Sequence, residues 1–251
     1  PKAAYEMLRS LVGSEMCIRD SYQDGADEIV FLDITASSDR RETMTEVIKK
    51  TSRSVFVPLA VGGGISSLDQ AREVFNAGAD KITLNTSALK RPQLIEEIAG
   101  QYGNQAVVLA IDAKRRYGLE DGRETVGTEE GPCWFECSYY GGRQFTGIDA
   151  LAWAKRAVSL GAGEILLTSM DRDGTYDGFD IPLTDAVVKS VNAPVIASGG
   201  CASPDHMLEV FRKTDASAAL AASIFHFGEW SIGSVKSYLC LLYTSPSPRD
   251  S

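Results

Sequence analysis

The sequence has few of the residues from which metal centres, disulfide frameworks and membrane spans are built. Its 251 residues include five cysteines and two histidines, and none of the motifs H-E-x-x-H, C-x-x-C and G-x-S-x-G occurs. We therefore predict no metal site and no cofactor. No run of roughly eighteen apolar residues is present, so we predict no membrane span. The formal net charge is −9, and an acidic surface of this kind argues against a nucleic-acid partner.

The cysteines are also too sparse to form a disulfide framework. Cys133, Cys137 and Cys201 lie in the part of the chain that has regular hydrophobic patterning. An odd, sparse set of cysteines fits a reducing compartment, and no secretion signal precedes Tyr22. We therefore predict a cytoplasmic protein. Cys133 and Cys137 fall on one face of a predicted hairpin, where packed thiols are a better interpretation than metal ligands.

Two segments near the ends of the chain lack any periodicity. They are LVGSEMCIRDS at 11–21 and CLLYTSPSPRDS at 240–251. The peptides LVGSEMCIRD and CLLYTSPSPRD can be read from opposite strands of a single DNA string that resembles a sequencing-library adapter. We therefore expect residues 1–21 to be non-native, with 11–21 adapter-like, and 240–251 to be an adapter-like tail. The folded domain is expected at 22–239.

Within that domain, short apolar runs alternate with amphipathic stretches of helical length, which is the pattern of a parallel sheet with crossover helices. We predict seven strands, at 28–34, 55–61, 80–85, 106–112, 164–170, 193–198 and 218–223. A longer segment at 114–148 has alternating aromatic residues and predicts a hairpin after the fourth strand. Seven such units predict an α/β (β/α)8 TIM barrel in which the first βα unit is missing.

An internal repeat supports the barrel. Residues 25–89 align without a gap on 161–225, and the matches include paired glycines and the tripeptide Glu-Val-Phe. The chain is therefore expected to contain two similar half-barrels.

Glycines and small polar residues follow several of the predicted strands. In a barrel these positions lie at the C-terminal face, where backbone N–H groups can bind an anion. The repeat supplies such turns twice, which suggests two phosphate sites and a substrate phosphorylated at both ends. The alternative is that the glycines only permit tight turns. The candidate positions are Gly62–Gly64, Asn85–Thr86, Ser198–Gly200 and Ala222–Ser223.

Carboxylates end two of the apolar strands and lie in one long loop. Asp33 and Asp112 close strands, and Asp171 and Asp173 lie in the loop MDRDGTYDG. An aspartate at the end of a buried strand is partly desolvated, which raises its pKa toward neutrality and suits it to proton transfer. Asp112 has the clearest context, although it could instead order the loop by accepting hydrogen bonds from backbone amides.

Three further charged residues lie at the opposite ends of the strands. These are Glu28, Lys81 and Glu164. Charges at the N-terminal face of a barrel most often serve stability, and position alone favours that interpretation.

A resemblance to a known family rests on seven motifs: FLDITAS, VGGGI, ADKITLNT, AVVLAIDAKR, GAGEILLTSMDRDGT, PVIASGG and LAASIFHF. In these motifs the chain resembles the cyclase subunit of imidazole glycerol phosphate synthase, an enzyme of histidine biosynthesis. The resemblance covers essentially all of 22–239. It implies a (β/α)8 barrel that receives ammonia from a glutaminase partner and cyclises a bisphosphorylated formimino-aminoimidazole-carboxamide ribonucleotide. The products would be imidazole glycerol phosphate and aminoimidazole carboxamide ribotide.

The resemblance also assigns roles to individual residues. Asp112 matches one of two catalytic aspartates, and the other belongs to a first-strand motif like C-L-D-V that this sequence does not contain. One phosphate site would be formed by Gly64, Asn85 and Thr86, and the other by Gly174, Gly200, Ala222 and Ser223, with Asp173 beside it. Glu28, Lys81 and Glu164 match a charged ring that gates ammonia, against the interpretation from position alone.

Two alternatives remain at this stage. The first is the sister isomerase of the same pathway, which has the same half-barrel repeat and phosphate turns, although GEILLTSMDRDGT and FLDITAS favour the cyclase. The second is an inactive fragment, because loss of one strand exposes sheet edges and the barrel core.

Overall fold

The computed structural model describes residues 18–32, 38–118, 122–226 and 228–243. Asp33 lies outside the described residues, as do most of the first adapter-like segment and residues 244–251 of the second. No helix within the described ranges is long and apolar enough to cross a membrane.

Among the described residues the sheet has ten strands, of which seven run parallel and form its main path. Each of these seven strands lies beside the next parallel strand along the chain, so neighbours in space follow the order of the chain. The sheet curls as in a (β/α)8 barrel, and within the described residues β1 and β10 each have a parallel neighbour on one side only. The strands are β1 (Ile29–Leu32), β2 (Leu59–Gly62), β3 (Lys81–Leu84), β4 (Val107–Tyr117), β8 (Glu164–Ser169), β9 (Val195–Ser198) and β10 (Ala218–Ala219).

Helices connect successive strands and cover the outer face of the sheet. Ser67 and Asp149 cap two of them by accepting hydrogen bonds from Gln70 N–H and Ala152 N–H. The helices are α1 (Ser38–Thr51), α2 (Leu68–Ala77), α3 (Thr86–Lys90), α4 (Gln93–Tyr102), α5 (Ala150–Ser159), α6 (Ile181–Ser190), α7 (Pro204–Lys213), α8 (Ser223–His226) and α9 (Ile232–Tyr243). A helical segment at 18–23 precedes β1, and a 3₁₀ turn at Asn104–Ala106 leads into β4.

Successive side chains of a strand point to opposite faces of the sheet, so the apolar side chains form two separate regions. On β4, Val107, Leu109 and Ile111 face the helices and belong to the large outer core. Val108 and Ala110 face the barrel interior, where they pack with Leu166 and Ile196. The same alternation brings Asp112 to the interior side at the C-terminal end of the parallel part of β4.

The predicted hairpin is present, and it contains three strands in addition to the extended end of β4. Strand β4 continues to Tyr117 and pairs antiparallel with β6 (Gly131–Tyr139), which in turn pairs with β5 (Val126–Thr128) and β7 (Gln144–Asp149). Cys133 and Cys137 are fully buried, and their burial raises the pKa of both thiols. They are packed side chains, as their positions in the sequence indicated.

The internal repeat is confirmed by the elements. Under the offset that carries residue 25 to residue 161, β2 falls on β9 and α2 on α7, residue for residue. The second predicted strand starts later than expected, because Phe56 is 78% exposed and pairing begins only after Pro58, which has no N–H to donate. The last predicted strand is reduced to Ala218–Ala219 at the sheet edge.

Candidate active site

Asp112 is the centre of the polar residues at the mouth of the barrel. Its Oδ2 accepts a hydrogen bond of 2.9 Å from Asn85 Nδ2. Burial raises the pKa of Asp112 to about 6, opposed by the Asn85 hydrogen bond and reinforced by the negative charge of Asp173. A carboxyl with this pKa exists in both protonation states near neutrality, as proton transfer requires. The proton-transfer role remains a prediction.

Asp173 lies on the loop after β8 and contributes a second negative charge to this region. Desolvation raises its pKa, and a hydrogen bond from the Gly174 backbone opposes the rise. The loop is closed by a 2.8 Å hydrogen bond from Asp173 N–H to Ser169 O. The structure therefore brings Asp173 and Gly174 to the same end of the barrel as Asp112.

Gly64 follows β2, and Asn85 follows the neighbouring strand β3. The register pairs Gly62 with Thr83, so the turn after β2 lies next to Asn85 and Thr86 after β3. Gly63 and Gly64 have φ of 111° and 65°, a succession of left-handed residues that favours glycine. The backbone alone accounts for these glycines, and phosphate binding remains a prediction.

Gly200 has a packing role in addition to its predicted phosphate role. A Cβ at this position would lie 2.2 Å from Gly178 O, and Gly178 N–H donates to Gly200 O at 2.9 Å. The turn after β9 is thus held against the loop that carries Asp173. Ala222 and Ser223 follow the adjacent β10, and Ser223 begins α8.

These positions form two groups on either side of Asp112. In the sheet order, β2 and β3 lie on one side of β4, whereas β8, β9 and β10 lie on the other. Gly64, Asn85 and Thr86 belong to the first group, and the remaining predicted phosphate residues belong to the second. The arrangement has the form that a ligand with two anionic ends would need.

The predicted charged residues at the base of the barrel are in direct contact. Lys81 Nζ donates to Glu28 Oε2 at 2.7 Å and to Glu164 Oε1 at 2.6 Å. Desolvation raises the pKa of Glu28. For Lys81, desolvation would lower the pKa, but the hydrogen bonds that Lys81 donates to the two glutamates outweigh it, so the pKa of Lys81 is raised. The two glutamates are related by the internal repeat, and we call this set the base cluster.

A set of ion pairs behind the mouth was missed by sequence reasoning. Arg115 donates to both carboxylate oxygens of Asp180, at 3.1 and 2.9 Å, and Ser169 Oγ donates to the same carboxylate at 2.9 Å. Asp171 accepts from Lys114 Nζ at 2.9 Å and from Arg115 N–H at 2.8 Å. Asp171 therefore fixes the loop after β8 to the hairpin. The one local signal was Asp180 before Ile-Pro, a typical helix start.

No group of three or more His, Cys, Asp or Glu side chains among the described residues is arranged to hold a metal ion.

A model of a protein family described as "Histidine biosynthesis protein" matches residues 10–231. The chain belongs to this family. A protein of Methanothermobacter thermautotrophicus is 57% identical over 223 residues, which are 87% of this chain and 81% of that protein. A protein of Nitrosopumilus maritimus is 53% identical over 218 residues, which are 86% of this chain and 82% of that protein. A protein of Methanocaldococcus jannaschii is 51% identical over 232 residues, which are 90% of this chain and 85% of that protein. Each of the three is named imidazole glycerol phosphate synthase subunit HisF.

These names describe one subunit of a larger enzyme in all three relatives. They favour the cyclase over the sister isomerase, which was the nearest alternative from the sequence.

Proposed function

We propose that this chain is the cyclase subunit of imidazole glycerol phosphate synthase. The observation that carries the proposal is Asp112, a desolvated carboxyl with a pKa of about 6, placed between two groups of predicted phosphate residues at the mouth of a barrel. The substrate would be the bisphosphorylated formimino-aminoimidazole-carboxamide ribonucleotide, and ammonia the second reactant.

Unpartnered acceptors along the barrel interior support a route for ammonia. Glu28 Oε1, Glu164 Oε2, Thr83 Oγ1 and Asn85 Oδ1 are buried without a hydrogen-bond partner in the structure. Lys81 and Thr83 alternate along β3 and so share its interior face, and Asn85 follows directly after the strand, two residues beyond Thr83. Ammonia donates up to three hydrogen bonds, which suits it to a path lined by such acceptors. The base cluster would then control its entry.

The reaction would take place at the mouth of the barrel, beside Asp112. Ammonia adds to the ribulosyl carbonyl carbon and water leaves, giving an imine. Closure of the imidazole ring and cleavage of the formimino linkage release imidazole glycerol phosphate and aminoimidazole carboxamide ribotide. Asp112 would accept and return protons during these steps. Binding both phosphates would fix the reacting carbons beside it, and such positioning contributes several kcal/mol in well-oriented reactions.

The partner would be a glutaminase that supplies ammonia at the base of the barrel. It could be a separate subunit or a fused domain. We place the protein in the cytoplasm, where the three buried cysteines, Cys133, Cys137 and Cys201, would stay reduced. The boundary near residue 239 also remains our proposal, supported by the exposed Leu241 and Leu242.

The decisive experiment is an ammonia-dependent synthesis assay. The chain is assayed alone and fused behind a first βα unit from a relative, which restores the aspartate of the C-L-D-V motif. We expect the fusion to form the two products in equal amounts, only when ammonia is present, and the chain alone to be inactive. Synthesis by neither protein would contradict the cyclase. Isomerisation of the preceding ribonucleotide without ammonia would support the sister enzyme instead.

A further inference from the structure

The turn between β6 and β7 reaches the predicted phosphate residue Thr86. Tyr140 N–H donates a hydrogen bond of 3.0 Å to Thr86 Oγ1. The same hairpin also contacts the backbone of the predicted catalytic residue, because Ser138 Oγ donates to Asp112 O at 3.2 Å. The hairpin thus forms hydrogen bonds with both Asp112, the predicted proton-transfer residue, and Thr86, a predicted phosphate residue.

The hydrogen bond from Tyr140 determines what the Thr86 hydroxyl can do. A threonine hydroxyl has one hydrogen to donate and two lone pairs. When one lone pair accepts from Tyr140 N–H, the hydroxyl hydrogen is directed away from that donor. A phosphate dianion offers only acceptor oxygens, so it needs this free hydrogen. Tyr140 therefore holds Thr86 in the orientation that suits a phosphate ligand.

Tyr140 is itself fixed by Lys90 on the same face of α3 as Thr86. Lys90 follows Thr86 by one helical turn. Its Nζ donates to Tyr140 Oη and lies 4.8 Å from the centroid of the Tyr140 ring and 5.8 Å from that of Tyr139. Cation–π contact at these distances is attractive. The ring and the backbone of Tyr140 are thus both attached to α3.

The backbone of Tyr140 indicates that this attachment has a cost. Its φ is 54°, in the left-handed region that a tyrosine adopts only at the expense of strain. The turn is also closely packed on its other side, where a Cβ at Gly142 would lie 2.2 Å from Met170 Cε. A strained residue held from two sides is more consistent with a required position than with a free surface turn.

We propose that Tyr140 is a positioning residue that orients the Thr86 hydroxyl toward one substrate phosphate, with Lys90 as its anchor. The proposal rests on the proposed function, because it assigns Thr86 to a phosphate site. It adds a specificity role for the hairpin turn at that site alone.

The two products provide a selective test, since each retains one phosphate of the substrate. Titration calorimetry of the full chain measures the dissociation constants of imidazole glycerol phosphate and aminoimidazole carboxamide ribotide. Thr86→Val should weaken one product, and Ser223→Ala should weaken the other. Tyr140→Gly keeps the backbone N–H but removes the ring that Lys90 holds, so the turn should no longer fix this N–H against Thr86 Oγ1. It should then weaken the product affected by Thr86→Val by about three- to tenfold, as expected when one ordering hydrogen bond is loosened. The other product should bind as before.

Coupling and thermal stability separate positioning from a general structural role. In the Thr86→Val background, Tyr140→Gly should have no further effect on binding, because Tyr140 acts through that hydroxyl. Tyr140→Gly removes the backbone strain, so the melting temperature should be unchanged or higher. Tyr140→Asn, which tolerates the same φ, should reproduce the binding loss.

The proposal is overturned if Tyr140→Gly weakens both products, neither product, or only the product that Ser223→Ala affects. It is also overturned if the effect of Tyr140→Gly persists in the Thr86→Val background. If neither Thr86→Val nor Ser223→Ala changes the dissociation constant of either product, the phosphate sites of the proposed function are wrong. That result is distinct from a failure of the Tyr140 proposal.

Discussion

At the mouth of the barrel one carboxylate, Asp112, has a neutral amide as its hydrogen-bond partner, whereas at the base two carboxylates share one ammonium. Both clusters face the same barrel interior, and the apolar side chains of Val108, Ala110, Leu166 and Ile196 lie between them. An amide stabilises a carboxylate less than a cation does, so the charge of Asp112 is only weakly compensated. At the base, Lys81 supplies that compensation for Glu28 and Glu164.

This difference separates a reactive carboxyl from structural ones. A carboxyl that is desolvated without a cation can take up and release a proton near neutrality, which is useful for catalysis and costly for stability. At the base, the hydrogen bonds from Lys81 oppose the rise that desolvation causes in the pKa of Glu28, and they fix both carboxylates in place. The experiments below change one cluster at a time and ask whether the two ends respond in opposite ways.

The largest effect should come from Asp112→Asn at the mouth. In the fusion that carries the first βα unit, the substitution removes the proton-transfer group, and we expect kcat to fall about 10²–10⁴-fold. Asp177→Asn makes the same chemical change at an exposed position of the loop after β8 and should leave kcat unchanged. Full activity of the Asp112→Asn protein would contradict the proposed role.

The same substitution should increase stability, and the increase should depend on pH. Because the folded pKa of Asp112, about 6, exceeds the unfolded value of 3.8, its stabilising contribution is complete below pH 3.8 and is lost as pH rises through 6. Asparagine carries no charge and avoids this loss. We expect Asp112→Asn to be more stable by roughly 1–3 kcal/mol above pH 7, with little difference near pH 4. Urea unfolding at both pH values measures this.

The next effect concerns the base cluster and has the opposite sign. Lys81→Met leaves Glu28 and Glu164 close together without a cation, and removing one partner of a buried ion pair is strongly destabilising. Since these side chains are 15–25% exposed, we expect a loss of about 2–4 kcal/mol at pH 8. The loss should shrink near pH 5, because Glu28 already has a raised pKa and would take up a proton.

Lys213→Met provides the matched control for the base cluster. Lys213 pairs with Glu209 one turn away on the exposed face of α7, and such surface pairs contribute little. Its unfolding midpoint should remain close to that of the unmodified chain. Equal midpoints for Lys81→Met and the unmodified chain at pH 8 would show that the base carboxylates do not need the lysine.

The two clusters also differ in how far the sequence predicted them. Asp112 stands at the end of a strongly apolar strand, so both its placement and its desolvation follow from local pattern. The base cluster was less predictable, because position alone favours solvated charges there. The repeat in the sequence already relates Glu28 to Glu164. That Lys81 is hydrogen-bonded to both becomes evident only when β1, β3 and β8 are in register.

Contacts made by the hairpin could not be predicted at all. The seven strands and the hairpin itself follow from hydrophobic alternation. Tyr140 meeting Thr86, or Arg115 meeting Asp180, depends on how far the hairpin twists and where its turn comes to lie. Such hydrogen bonds join residues that are distant in sequence and carry no local signal. Helix and strand ends were similarly uncertain, as the late start of β2 illustrates.

The smallest effect should come from Asn85→Ala, which removes the only direct hydrogen bond from a side chain to the Asp112 carboxylate among the described residues. Without that donor the charged form of Asp112 is less favoured, so its pKa should rise by up to about one unit. We expect the acidic limb of the kcat/KM profile to move to higher pH. This shift should come in addition to a loss that is the same at all pH values, because Asn85 also belongs to the first group of predicted phosphate residues. Thr86→Val serves as the control, because it should lower phosphate binding at all pH values without moving the limb. A limb that stays in place after Asn85→Ala would mean that the amide does not influence the carboxyl, and that desolvation alone distinguishes the mouth of the barrel from its base.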